Sequence, residues 1–389
     1  ILVCLVGSEM CIRDRYQGSR KSMKSRPNLY TNYAKETAIF SNNTQKFWFF
    51  ILLFLSISLC FVATDYWILL ISRSLAFSIG AWGINIVSGL AGQITLAHGS
   101  FIGIGVYTAA VLGGVASDSV WGLELDMLIW LPVAGIVAAL FSFILAPIAV
   151  RLKGLNLALV TLAFLFICSH IFSNFISVTG GAGLGRKVAK LVLFGVNLED
   201  GLLIGNFLLE KNQIQYLMCL FLCIVMGFGF KNLVRSRAGR AYAGIRDGDI
   251  AAEALGVNLF RYKASAFALA SFYAGVGGAM ASTISGGVEP GLFNLLFSIL
   301  AVAIIVIGGA GTVLGPLFGA FFYIMAPGLI QYILKITDLT ESALPLNLGQ
   351  IEAMVFGLCI ILFLIFEPRG LWGIWFRLRN YFKAWPFSY

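Results

Sequence analysis

The 389-residue chain is 59% hydrophobic and 12% charged, with a mean hydropathy of +0.90. That excludes an ordinary soluble domain and implies a polytopic membrane protein. Its 27 Lys and Arg against 18 Asp and Glu leave a net charge of +9, but no basic groove interleaved with aromatics accompanies the surplus. The excess therefore reads as membrane topology and not as nucleic-acid binding.

The chain opens ILVCLVGSEMCIRDR, which has no basic region ahead of a short apolar stretch and so is not a signal peptide. Residues 1–22 are read as a non-native leader, with the native start at Met23 and a cytosolic arm over 23–46. A spanning helix needs about 20 apolar residues. Candidates follow at Phe47–Thr64, Tyr66–Val87, Gly99–Val115, Leu128–Val150 and Leu155–Val178, then at Ile214–Phe230, Ala264–Ile284, Leu292–Ile307, Val313–Leu334 and Leu348–Phe366. Cys60, Cys168, Cys219, Cys223 and Cys359 lie inside these runs, where they act as small hydrophobes and form no disulfide framework.

Charge placement tests the count. With the polar segment Lys231–Lys263 on the cytosolic side, both termini and the Arg151–Gly154 turn fall there too. Twenty-one Lys and Arg then lie inside and five outside, with Arg73 left within a span. An offset of 197 residues pairs Ser74 with Ser271, Gly80 with Gly277, Ser88 with Ser285 and Gly89 with Gly286. Because the paired spans end on opposite sides, the offset points to two inverted halves of five helices.

Four segments carry polar chemistry. In the first, Gly83–Thr108, glycines at 89 and 92 break the helix, and Gln93, Thr95, His98 and Ser100 follow. Polar groups and irregular backbone at membrane depth survive when buried in protein or facing a water-filled path. Two readings stand: a translocation path including Asn85, or an inner turn whose polar groups cap helices. The residues Gly83, Asn85, Gly89, Ala91, Gly92, Gln93, Leu96, His98, Phe101, Gly103, Gly105, Tyr107 and Thr108 closely resemble the signature of branched-chain amino acid permeases of ATP-binding-cassette importers, the LivM type.

The second segment, Arg151–Gly183, ends TGGAGLG and is similar to the family's basic inner turn and outer glycine loop; a flexible loop and a docking contact are both open. In the third, Gly239–Gly256, Asp249 is placed to cap a helix beginning at Ile250 and Gly256 to end it. Ile250, Ala254 and Val257 share one face, and Arg246 and Glu253 fall together seven residues apart. The pattern fits docking in a groove or lying on headgroups. The segment is also similar to the family's coupling loop, which implies that Arg240, Arg246, Asp247, Glu253, Ala254 and Gly256 couple to an ATPase. The fourth, Ile307–Phe322, resembles the family's late glycine-rich segment. Arg73 and Glu352, both at helix level, either snorkel or pair with one another.

The resemblance covers Tyr66–Gly370. It implies an all-α polytopic membrane protein of about ten transmembrane helices, with a permease domain over 47–370, the coupling loop over 231–263 and a cytosolic tail over 371–389. It further implies a bacterial inner-membrane transporter subunit for leucine, isoleucine and valine, working with a second, LivH-like permease subunit, two ATPase subunits, an external solute-binding protein and membrane lipid, without nucleic acid. No G-x-x-x-x-G-K-[ST] occurs in the sequence, so ATP and Mg²⁺ are expected to be used by the partner ATPases, and this chain is expected to bind no cofactor or metal and to catalyse nothing itself. The alternatives are a related permease for urea, short amides or a sugar, or an ion-coupled secondary transporter.

Overall fold

The computed structural model describes residues 43–384, apart from 118–119, 184, 205–206, 337–347 and 368. The predicted leader, most of the N-terminal arm and the end of the tail lie outside the described residues. The chain divides into one unit ending at Leu53 and a second running Phe54–Tyr389, which holds the helical core.

The helices are α1 (Asn43–Val62), α2 (Asp65–Ile84), α3 (His98–Gly113), α4 (Met127–Ser142), α5 (Ala146–Arg151), α6 (Leu155–Asn174), α7 (Ile176–Thr179) and α8 (Lys211–Arg235). They continue with α9 (Arg237–Asp247), α10 (Asp249–Ala254), α11 (Leu259–Ser285), α12 (Leu295–Gly308), α13 (Gly315–Ile336), α14 (Leu348–Phe366) and α15 (Gly370–Ala384). Each predicted span falls on a helix in whole or in part. Among the described residues, Gln45–Val62, Asp65–Leu90, α6, α8 and α11 are long and apolar enough to cross a membrane, and α3, α4 and α12 are shorter apolar helices.

Three boundaries differ from expectation. Leu128–Val150 is two helices, because Pro147 in the first turn of α5 has no N–H to continue the ladder from α4. Leu155–Val178 breaks at Phe175, and α7 ends on Gly180 in the left-handed region at φ 79°. Finally, α11 starts five residues before the predicted Ala264, where the Asn258 side chain accepts from Arg261 N at 3.0 Å and so caps it. The all-α expectation also needs amending. Three antiparallel two-stranded pairs are present: β1 (Arg186–Lys187) with β6 (Gly287–Val288), β2 (Val192–Leu193) with β3 (Val196–Asn197), and β4 (Leu202–Ile204) with β5 (Phe207–Leu209). These lie in the stretches between the apolar helices, where short ladders satisfy backbone groups that no helix does.

Helix α11 is the centre of the packing and meets α2, α3 and α4. Without water to drive association, helices in lipid approach through small residues. A Cβ on Gly277 would lie 2.5 Å from Gly80 N, and one on Gly105 would lie 2.3 Å from Gly275 Cα. Gly80 and Gly277, the pair related by the 197-residue offset, thus meet where α2 crosses α11. Inside this core Ser72, Ser74, Ser78 and Ser271 each donate to the carbonyl four residues back at 2.7–2.8 Å, so these four hydroxyls are paired within their own helices. The outer surface is apolar instead, with Phe54, Phe166 and Phe221 well exposed, as a lipid-facing surface requires.

Candidate functional site

The site is built on Asp65–Leu90, which is α-helical to Ile84 and continues as a π-helical turn over Asn85–Leu90. At its first end Arg73, Ala76, Phe77, Gly80 and Ala81 recur at the spacing that keeps one face of a helix together, and this face lines a cavity of roughly 300 Å³. Opposite walls come from α3 through His98, Ile102 and Val106, from α11 through Gly277 and Gly278, and from α12 through Leu300 and Ile304. Val288 of β6 and Phe293 line it as well. The lining is overwhelmingly apolar. Among its residues Arg73 is a cation and none is a carboxylate.

The five predicted path residues do not share one role. His98 lines the cavity; it is 3% exposed, lies against Gly80, and its Nε2 has no hydrogen-bond partner. Asn85 sits at the other end of the element, where its amide donates to Thr312 O at 2.9 Å and its Oδ1 accepts from Gly311 N at 2.8 Å. Thr95 Oγ1 accepts from Ala97 N in the turn just before α3, which has no side-chain cap of its own. Gln93 and Ser100 are buried outside the cavity lining, and Gln93 Oε1 is unpaired.

At the second end the π turn meets the central segment. Helix α9 presents Tyr242 and Ile245 inward, both buried, with Tyr242 Oη and Ser265 Oγ of α11 2.9 Å apart. Arg246 reaches back from α9 and donates from Nη1 to Gly89 O at 2.8 Å. Its stem packs on Gly92, which at φ 66° sits in the left-handed region: a Cβ there would lie 2.9 Å from Arg246 Cγ. A Cβ on Gly311 would lie 2.9 Å from Arg246 Nη1. Two of the predicted glycine breaks and the central segment therefore converge on one guanidinium.

Two expectations for the central segment are corrected here. Asp249 does not cap α10: the N-cap is Gly248 without a side-chain bond, and the Asp249 carboxylate turns inward to Lys263 Nζ at 2.8 Å and Lys153 Nζ at 2.9 Å. Burial raises the Asp249 carboxyl, but the hydrogen bonds and charges of the two lysines outweigh it and hold it below the usual carboxylate range. Lys263 itself is fully buried and also donates to Ala149 O at 3.4 Å. Second, Arg246 and Glu253 do not share a helical face, because the chain breaks at Gly248 between α9 and α10. Gly256 does end the segment, at φ 86°, with Val257 N donating to Ala252 O and Gly256 N to Glu253 O, the paired bonds of a left-handed helix stop. Ala252 is the buried side of α10, whereas Ile250 and Leu255 are 80% and 86% exposed. Arg240, Asp247, Glu253 and Ala254 are exposed beside them.

Sequence reasoning missed Arg186, counted only as an outer cation. It is 6% exposed and donates to Val178 O of α7, Ala110 O of α3 and Trp121 O at 2.6–2.8 Å, tying these segments together beside β1, whose partner β6 lines the cavity. No local pattern signals this, since its three acceptors lie up to 76 residues away. The side chain of Glu352 lies outside the described residues, so its pairing with Arg73 is not addressed. Among the described residues no cluster of three or more His, Cys, Asp or Glu exists that could hold a metal ion.

Comparison with known proteins places this geometry. Residues 66–364 match the family described as branched-chain amino acid transport system, permease component. The chain is 28% identical over 339 residues to the high-affinity branched-chain amino acid transport system permease protein LivM of Escherichia coli K12, covering 84% of this chain and 75% of that one. It is 26% identical over 304 residues to LivH of Salmonella typhimurium LT2 and over 314 residues to BraD of Pseudomonas aeruginosa PAO1, each covering 76% of this chain and 91% of the relative. No solved structure matches. With three quarters of its length inside the matched region, the chain belongs to the branched-chain amino acid transport system permease family.

Proposed function

We propose that this chain is the membrane permease subunit of an ATP-driven importer that carries leucine, isoleucine and valine across the bacterial inner membrane. The observation that supports this most directly is the single element Asp65–Leu90, which lines the cavity at Arg73 and meets the central segment at Gly89. Sixteen residues separate those two positions, about 24 Å of helix at 1.5 Å per residue. The cavity takes the substrate; Arg237–Ala254 is the surface that partner ATPases move.

Helices α9 and α10 are held to α11 by Tyr242 and by the Asp249–Lys263 pair, and to the π turn by Arg246. A push on the exposed Ile250 and Leu255 would therefore be carried into α2 and α11 together, the two helices that cross at Gly80 and Gly277. A π turn interrupts the regular α-helical ladder, and such turns are frequent at functional sites. Displacement at Gly89 is thus positioned to alter the cavity wall at Gly80 and so to open it to one side and then the other.

The partners of this reading are a LivH-like second permease, two ATPase subunits that use ATP and Mg²⁺, and an external solute-binding protein; this chain holds no cofactor. The charge distribution supports cytosolic termini, and the crossing of Gly80 with Gly277, the pair related by the 197-residue offset, supports two inverted halves. Uptake into proteoliposomes holding the complete importer tests the function. Leucine uptake requires ATP, and Glu253→Arg abolishes it while the protein still inserts; uptake driven by an ion gradient without ATP refutes the reading.

A further inference from the structure

Arg73 is the cation of a largely apolar cavity, and among the described residues it has no counter-charge. None of the ion pairs formed among the described residues includes it, its Nε is buried without a hydrogen-bond partner, and no carboxylate lines the cavity with it. A charge in such surroundings is expensive unless something of opposite sign visits it. Two helical turns along the same face, the imidazole of His98 closes the wall beside Gly80, nine-tenths buried and with Nε2 unpaired. The rest of the lining is mainly apolar, with Ile102, Val106, Leu300 and Ile304 supplying aliphatic surface and Phe77, Phe293 and Phe297 aromatic surface. The volume, roughly 300 Å³, suits one small molecule.

We infer that this cavity is a binding site for a single aliphatic carboxylate, with the Arg73 guanidinium holding the carboxylate, the aliphatic walls taking the carbon chain and His98 Nε2 facing the polar group that remains. The inference rests on the permease reading above and adds to it the group that is recognised. A guanidinium fork matches two carboxylate oxygens at once, whereas among the described residues no acidic side chain lines the cavity to bind an ammonium. Recognition within the permease therefore depends on the carboxylate of an amino acid and tolerates loss of its amine.

The test uses the complete importer in lipid, first without its binding protein so that only the membrane site is read. Labelled leucine is expected to be displaced by 4-methylpentanoate, which lacks the amine, and not by 3-methylbutylamine, which lacks the carboxylate. Arg73→Gln is expected to erase that preference and, with the binding protein restored at saturation, to lower ATP-driven leucine uptake about 10- to 100-fold, the size of a lost charge-assisted hydrogen bond. Arg73→Lys keeps part of both, which separates ligand binding from misfolding. The inference is overturned if the amine displaces leucine as well as the acid does, if Arg73→Gln leaves preference and uptake unchanged, or if Glu352→Gln reproduces the Arg73→Gln defect, since Arg73 would then serve a structural ion pair. A wild-type importer that takes up no leucine with ATP sinks the permease reading instead.

Discussion

Asp249→Asn removes one negative charge from the base of the central segment, and the structure fixes what is left behind. The Lys263 ammonium is 0% exposed, its strongest partner is the Asp249 carboxylate at 2.8 Å, and its other acceptor is Ala149 O at 3.4 Å. Breaking a buried pair by removing one member costs about 3–5 kcal/mol because the survivor stays buried and charged. The second pair, Lys153 with Asp249, contributes at most about 1 kcal/mol since the Lys153 side chain is 56% exposed. Asp249→Asn is therefore expected to destabilise by about 3–5 kcal/mol, and Lys263→Met by less, roughly 1–2 kcal/mol, because Asp249 keeps Lys153 and lies near the surface. The double variant is expected to cost less than the sum of the two single variants, because it leaves no uncompensated buried charge. Denaturant titration of the purified protein, run as a double-mutant cycle, measures all three. Additive effects, or an Asp249→Asn cost below about 1 kcal/mol, would refute the assignment. The sign of the pH dependence follows from the lowered Asp249 carboxyl. Its stabilisation is complete above the unfolded carboxylate value near 3.9 and is lost as pH falls through the lower folded value, so this group adds no pH dependence between pH 6 and 8.

Arg246→Ala deletes the bond to Gly89 O; because the guanidinium is exposed, the low end of the charged hydrogen-bond range applies, roughly 1.5 kcal/mol, or about a tenfold fall in ATP-coupled uptake with ATPase subunits still bound. Unchanged uptake would mean that force travels by another route. Ile250→Glu with Leu255→Glu alters two exposed side chains, so folding stability is expected to stay within about 0.5 kcal/mol of wild type, while co-purification of ATPase subunits drops on the order of tenfold; undiminished co-purification would place the docking surface elsewhere. Gly277→Val puts a side chain against Gly80 backbone that cannot retreat, and about 1–3 kcal/mol of destabilisation is expected. Gly357→Ala, in the interior of α14 with nothing within 4 Å of the added Cβ, is the matched control and should not destabilise in the same unfolding assay.

Much of the architecture was legible because lipid imposes it on the sequence. Each apolar run had to be a helix, since a backbone in hydrocarbon must pair its own N–H and C=O groups, and the breaks at Gly89, Gly92 and Gly308–Gly315 were visible as glycine clusters. Pro147 was equally visible, but in an unbroken apolar run it was passed over, although its missing N–H is what divides α4 from α5. The path residues were found as a group and then sorted by the fold: hydropathy shows that polar groups lie at depth but not which way each points. Thus His98 faces the cavity while Asn85 ties down Gly311.

The sequence by itself determined that this is a helical membrane protein, where its helices lie and, through the residues around Gly83–Thr108, the family to which it belongs. Those properties depend on neighbours within one or two helical turns or on an uninterrupted run of residues. Only the tertiary structure brought Arg246 to Gly89 across 157 residues and Gly311 to Asn85 across 226, buried Lys263 on Asp249 and left Arg73 facing a largely apolar cavity. Such pairings are chosen by how glycine-lined helices cross. That choice is set by shape over the whole bundle, which no local pattern of residues records.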